Sequence, residues 1–198
     1  MRKLSKYLET HPKTHLIFDL DSTLAKLLID WSTYRNELWK LVSSFDDKLT
    51  NEIPCKPFMG FKLTNAAIKK HGIKTKKILD QFNGDYELSH YTGYLPHPDL
   101  LSFIRSHHNK LHFFLWTNNA KKTIADVVQK EKLNTYFQKI ITRDDVLFIK
   151  PEVNGYNLIN TNNTPKDNYV LIGDSIFDEE TAHKIGIDFF QVNYFSTL

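Results

Sequence analysis

Three short stretches of the chain are almost wholly apolar, and each stops at acidic or hydroxyl side chains. They are His15-Leu16-Ile17-Phe18-Asp19-Leu20-Asp21, Leu111-His112-Phe113-Phe114-Leu115-Trp116-Thr117 and Asn168-Tyr169-Val170-Leu171-Ile172-Gly173-Asp174. A strand that alternates polar and apolar residues can leave one face in water, whereas a continuous apolar run must be covered on both. The segments between them supply that cover. Pro98 to His108 carries Leu100, Leu101, Phe103 and Ile104 at helical spacing, and Ala120 to Lys132 carries Ile124, Val127 and Val128, with Asn119 at the expected N-cap. Phe137 to Val146 contains a further strand, Gly155 to Asn160 begins a short helix, and Asp178 to Ile185 a longer one that Gly186 closes. Phe189-Phe190-Gln191-Val192 reads as a last strand. Strands and helices thus alternate after residue 96, which predicts an α/β fold with an open, mostly parallel sheet.

Residues 25–95 break the alternation. From Leu27 to Val42 the apolar positions Leu27, Leu28, Trp31, Tyr34, Leu38, Leu41 and Val42 recur at three and four, one face of an amphipathic helix. Phe61 to Lys70 and Thr75 to Phe82 predict two more helices, separated at His71-Gly72. The expected organisation is therefore a core made of residues 1–24 and 96–198, with a helical subdomain, 25–95, inserted after the first strand. Its large apolar residues Trp31, Tyr34, Trp39, Phe58, Met59 and Phe61 are read as the insertion's own core or a pocket wall, and Lys69, Lys70, Lys74, Lys76 and Lys77 as a solvated basic face.

Charge and cysteine usage narrow the function classes. The net charge is +3, and all of it comes from residues 25–95, which hold 11 Lys/Arg against 8 Asp/Glu, the rest balancing at 15 and 15. That excess is too small to argue for nucleic acid, though a mildly basic segment attracts a small anion. Cys55 is the single cysteine, so a disulfide framework is excluded and a reducing cytoplasm is expected. The basic start Met1-Arg2-Lys3-Leu4-Ser5-Lys6-Tyr7 runs into no signal-like apolar stretch, and no run is long enough to span a membrane. The histidines His97, His107, His108 and His112 share no ligand spacing. Oligomeric state leaves no mark in the sequence.

In an open α/β sheet the ligand sits beyond the carboxyl ends of the strands, so the residues that end the apolar runs converge. These are Asp19 and Asp21, Thr117 and Asn118, Lys150 after the third strand, and Gly173-Asp174 with Asp178. Four carboxylates so close require a compensating cation, because like charges raise one another's pKa. All are oxygen donors with no Cys or His at ligand spacing, and that donor set suits a hard ion, Mg²⁺.

Phe18-Asp19-Leu20-Asp21-Ser22-Thr23-Leu24 resembles the first motif of the haloacid dehalogenase-like (HAD) hydrolase superfamily, two aspartates one residue apart followed by Thr. Trp116-Thr117-Asn118 resembles the second, Lys150-Pro151 the third, and Ile172-Gly173-Asp174-Ser175-Ile176-Phe177-Asp178 the fourth. They occur in the family's order, and the helical insertion falls where the family commonly has a cap; Ser22 stands where many members carry Gly.

The resemblance implies a Rossmann-like core and a Mg²⁺-dependent phosphatase acting on a small phosphorylated metabolite or nucleotide. Asp19 would be the nucleophile that becomes an aspartyl phosphate, and Asp21 the general acid and base. Thr117 and Asn118 would bind the phosphoryl oxygens, with Lys150 neutralising charge. Asp19, Asp174 and the backbone carbonyl of Asp21 would face the metal, and Asp178 would support it directly or through water. The alternatives are a metal-independent haloacid dehalogenase, or a phosphoacceptor or scaffold protein without turnover. Asp178 also precedes Glu179 and Glu180, a pattern that caps a helix whatever else it does.

Overall fold

Strand β1 (His15–Phe18) lies at the middle of a five-stranded sheet, and its side chains divide strictly by parity. Leu16 and Phe18 enter the apolar core on one face, while Ile17 enters the core on the other. In this computed structural model, which describes residues 2–195, the sheet order is β5-β4-β1-β6-β7, with β4 (His112–Trp116), β5 (Phe137–Ile141), β6 (Tyr169–Gly173) and β7 (Asp188–Gln191). All four pairings are parallel. The fold is thus an α/β, Rossmann-like sheet with helices on both faces. Strand order leaves β1 toward β4 on one side and β6 on the other, so the crevice of a doubly wound sheet opens at the end of β1.

One face is covered by α1 (Arg2–Thr10), α6 (Pro98–His107) and α7 (Lys121–Lys130), through Leu4, Leu100, Leu101, Phe103, Ile104, Ile124 and Val127. The other is covered by α9 (Asn154–Ile159) and α10 (Ile176–Ile185), through Tyr156, Ile159, Ala182 and Ile185. The short α8 (Leu133–Tyr136) leads into β5. Helix α1 has no counterpart among the sequence expectations. It is fixed by buried Leu4 and by the Tyr7 hydroxyl, which donates to Asp188 Oδ2 at 2.5 Å on β7.

Between β1 and α6 the chain forms β2 (Ala25–Leu27), helices α2 (Trp31–Ser43), α3 (Asp47–Glu52), α4 (Gly60–His71) and α5 (Ile73–His90), and then β3 (Tyr94–Pro96). β2 and β3 pair antiparallel, Ala25 opposite Pro96, and so bind the two ends of the helical segment together. That pairing removes Leu27 and Leu28 from the expected helix, which starts only at Trp31. Asp30 is its cap and accepts from the Ser32 and Thr33 N–H groups. The helices close on a core of their own: Leu38, Trp39, Val42, Leu49, Leu63, Ala67, Ile68 and Leu79. Gly72, at φ 79°, makes the break between α4 and α5, and α5 continues eight residues past the expected Phe82 to His90. Asn119 is not the cap of α7. Ala120 occupies that position, and Asn119 is turned into the molecule. Gly186 does close α10 in the left-handed conformation.

Candidate active site

Asp19 follows β1 directly and extends the ladder, its N–H donating to Ile172 O at 2.9 Å. The chain then reverses: the N–H groups of Thr23, Leu24 and Ala25 all donate to the Leu20 carbonyl at 2.9–3.1 Å, and Ser22 sits at φ 64°. A positive φ at this position accounts for the glycine that many HAD sequences carry there. The turn leaves Asp19 on the floor of the crevice, 7% exposed, and Asp21 at its side. The Asp21 carboxylate accepts from the Leu27 N–H at 2.8 Å, which ties it to β2. Desolvation nonetheless pushes it up to about 7.

Lys150 enters from the loop after β5, 2% exposed. Its Nζ donates to Asp19 Oδ1 at 2.7 Å and to Asp178 Oδ1 at 2.5 Å. Burial works against the ammonium, but the charges of Asp178 and Asp19 together outweigh it and hold its pKa above the ordinary lysine value. Asp178 uses its other oxygen, Oδ2, to accept from Ser175 Oγ at 2.6 Å and Ser175 N at 3.2 Å, closing a capping box at the start of α10. The capping role and the site role thus coexist in one carboxylate. Gly173 makes room for it, since a Cβ there would lie 2.5 Å from Asp178 Cγ.

Asp174 follows β6 directly, half-buried, and accepts from Thr23 Oγ1 at 3.3 Å. Burial, then the Asp178 charge, raises its pKa to about 6. Asp19, Asp174 and Asp178 each offer an oxygen, and the three lie within 4.8 Å of one another. Burial, with Asp178 and Asp174 adding to it, carries Asp19 well above the carboxylate range despite Lys150. An all-oxygen donor set drawn from two strand ends and a helix start, under mutual repulsion, fits a hard divalent cation. The Asp21 carboxylate stands outside this set, committed to Leu27.

The structure separates the two residues of the second motif. Thr117 is 1% exposed and does not line the cavity; its hydroxyl donates to Asn119 Oδ1 at 2.8 Å. That contact orients Asn119, which does line the cavity. Asn118 also lines it, yet its amide is engaged: Oδ1 accepts from Lys150 N at 2.9 Å and Nδ2 donates to Lys150 O at 3.1 Å. Asn118 thus fixes the backbone of the lysine. From α4, Asn65 does the same one residue earlier, exchanging hydrogen bonds with Ile149 O at 2.8 Å and Ile149 N at 3.1 Å.

The cavity above this floor has a volume of about 330 Å³. Its upper wall comes from the helical segment: Trp31, Tyr34 and Arg35 of α2, Phe58, Gly60 and Phe61. Of the six candidate pocket residues in this segment, Trp31, Tyr34, Phe58 and Phe61 reach the cavity, whereas Trp39 and Met59 pack within the segment. Lys76 departs from the expected solvated face; it is 8% exposed, pairs with Asp80 and donates to the Arg143 carbonyl at 3.4 Å. Sequence reading passed over Arg143, Glu87 and Asn65. A polar residue on an apolar helical stripe, as Asn65 is between Leu63 and Ala67, was the available signal.

Residues 16–192 match the family model for haloacid dehalogenase-like hydrolases. No match to a curated protein was found. Among solved structures, a Bacteroides fragilis protein described as a haloacid dehalogenase-like hydrolase is similar at TM-score 0.59 and 21% identity, over 90% of this chain and 87% of that one. A Lactobacillus plantarum protein named as a candidate phosphoglycolate phosphatase is similar at TM-score 0.58 and 22% identity, over 89% and 84%. The HAD-hydrolase YfnB of Bacillus subtilis, in a magnesium-bound structure, is similar at TM-score 0.54 and 16% identity, over 91% and 87%. At these identities the likeness is one of fold. Among the described residues no helix is long and apolar enough to cross a membrane.

Proposed function

Because the chain belongs to the haloacid dehalogenase-like hydrolases, we propose that it is a Mg²⁺-dependent phosphomonoesterase that works through an aspartyl phosphate on a small phosphorylated metabolite or nucleotide. The observation that carries this reading is the Asp19 carboxylate on the cavity floor, paired with Lys150 at 2.7 Å and clustered with Asp174 and Asp178. The phosphatase name of the Lactobacillus plantarum structure and the magnesium of the Bacillus subtilis structure support it. The exposed Cys55 supports a cytoplasmic setting.

The Asp19 oxygen not bonded to Lys150 attacks phosphorus, the ester P–O bond breaks, and Asp21 gives the leaving oxygen its proton. Asp21 then takes a proton from the water that cleaves the acyl phosphate. A pKa near 7 serves both steps, since the group gives and accepts a proton near neutral pH. Lys150 stays charged throughout and offsets the negative charge gathered at Asp19. Asn118 holds the Lys150 backbone, and Asn119 offers the cavity an amide set by Thr117. Asp19, Asp174 and Asp178 would hold Mg²⁺, joined by the Asp21 carbonyl as the family resemblance implies, and the ion supplies positive charge to the phosphoryl oxygens.

Hydrolysis of p-nitrophenyl phosphate tests the reading. EDTA should abolish it, and Mg²⁺ but not Ca²⁺ should restore it, because Mg²⁺ keeps a tight octahedron where Ca²⁺ does not. Turnover that survives thorough chelation would overturn the metal requirement, and no turnover of phosphate esters at any Mg²⁺ concentration would return attention to the dehalogenase alternative.

A further inference from the structure

Two arginines line the same cavity, and neither has a full set of acceptors among the described residues. Arg143, in the turn after β5, is 3% exposed and lines the cavity. Its Nη2 donates to Glu87 Oε1, but Nε and Nη1 are buried and have no partner among the described residues. Glu87, fully buried on α5, is held in turn by the Thr123 hydroxyl at 2.6 Å and the Ala120 N–H at 3.2 Å, so it fixes where Arg143 points. Arg35 of α2 is half-buried on the same cavity, and among the described residues it makes no hydrogen bond or ion pair. A buried charged donor without an acceptor is costly, and a planar guanidinium matches the paired oxygens of a carboxylate or phosphate. Among the described residues the acids of the floor bond elsewhere, Asp19 and Asp178 to Lys150, Asp21 to Leu27 and Asp174 to Thr23, and none of them bonds either arginine.

We propose that Arg143 and Arg35 form a second anion subsite, so that the chain selects phosphomonoesters whose alcohol portion carries a further carboxylate or phosphate group. This rests on the phosphatase reading above: the transferred phosphoryl group sits at the Asp19 floor, and the second anion reaches the arginines. A cavity of about 330 Å³ restricts such substrates to compact molecules.

The test compares matched esters with the Mg²⁺-loaded protein: 2-phosphoglycolate and 3-phosphoglycerate for the carboxylate, propane-1,3-diol bisphosphate for the phosphate, and, as counterparts with an uncharged alcohol portion (the uncharged esters below), ethyl phosphate and glycerol 3-phosphate. One charged class should exceed its counterpart about 10- to 100-fold in kcat/KM, the strength of one or two charge-assisted hydrogen bonds. Which class wins identifies the second anion. Arg35→Gln, and Arg143→Lys, which keeps a cation beside Glu87, should erase most of that ratio through KM while melting like the parent. Uncharged esters turned over as well as charged ones, or a ratio kept in folded variants, would overturn the subsite. Binding of 2-phosphoglycolate, the propanediol bisphosphate and ethyl phosphate to Asp19→Asn, followed by calorimetry, separates the two readings. Tighter binding of 2-phosphoglycolate or the bisphosphate than of ethyl phosphate there, together with a Mg²⁺-loaded parent protein that hydrolyses none of the esters, would sink the phosphatase and spare the subsite, whereas equal affinity would sink the subsite alone.

Discussion

Asp19 and Asp21 stand two residues apart, yet their surroundings divide their labour. Burial raises both, but Asp19 is ion-paired with Lys150, which works against that rise and toward the charged form a nucleophile needs, while among the described residues Asp21 has no such cation and is raised to about 7. Asp19→Asn should therefore lower kcat by at least ~10³ on every ester, because an amide cannot replace the nucleophile. Asp21→Asn should cost ~10² to 10⁴ on alkyl phosphates but far less on p-nitrophenyl phosphate, whose leaving group needs no proton. Equal losses on both esters in the Asp21 variant would remove it as the acid. A third substitution tests the seat of Asp178. Gly173→Ala sets a methyl 2.5 Å from Asp178 Cγ, so the carboxylate must leave Lys150 or the capping box. Turnover should fall by ~10-fold or more, with a lower melting temperature; parent-like rates would show that the carboxylate has room to spare. The acids of the site are legible in the sequence because an apolar run that ends in carboxylates poses a charge problem on its face. The contacts of Thr117 with Asn119, and of Asn118 with a backbone 32 residues away, leave no such local mark.

At the scale of elements, the strands after residue 96 are readable because burial on both faces leaves no polar interruption in β1, β4 or β6. The insertion is less so. Ala25 and Leu27 belong to β2, but their apolar character continues the stripe of α2 without a break, and only the Asp30 cap separates the two. The pairing of β2 with β3 joins residues some 70 positions apart and leaves no local trace. The contact of α4 with the loop before Lys150 is equally non-local. Asn65, 4% exposed, closes a two-way pair with the Ile149 backbone, so this helix holds the segment that delivers the lysine. Asn65→Ala should leave two buried backbone groups unpaired and cost about 1–3 kcal/mol of stability. It should also lower kcat more than it raises KM, because Lys150 acts on the reacting group; a drop in melting temperature with kcat unchanged would confine Asn65 to a structural role.

Across the whole molecule, the strongest tension lies where three carboxylates share one lysine. Asp19, Asp174 and Asp178 sit within 4.8 Å of one another, and Lys150 bonds only the first and last. Without a cation, Asp174 is therefore held against the charge of Asp178 by the fold itself, and sites built for function commonly carry such a stability cost. Asp174→Asn keeps an oxygen to accept from Thr23 while removing one negative charge. In EDTA it should be more stable than the parent by on the order of 1 kcal/mol, once the offset by Lys150 is allowed for. For a chain of this size that is about 2–4 °C in melting temperature. Mg²⁺ should reverse the ranking: at a hundred times its dissociation constant it adds about 2.7 kcal/mol to the parent, and it should add little to a variant that has lost a ligand. Activity of the variant should be absent or require far more Mg²⁺. Melting curves of both proteins with EDTA and across a Mg²⁺ titration check each part. If Asp174→Asn melts below the parent in EDTA and still gains the full increment from Mg²⁺, then Asp174 is a structural acid and the cation is held elsewhere.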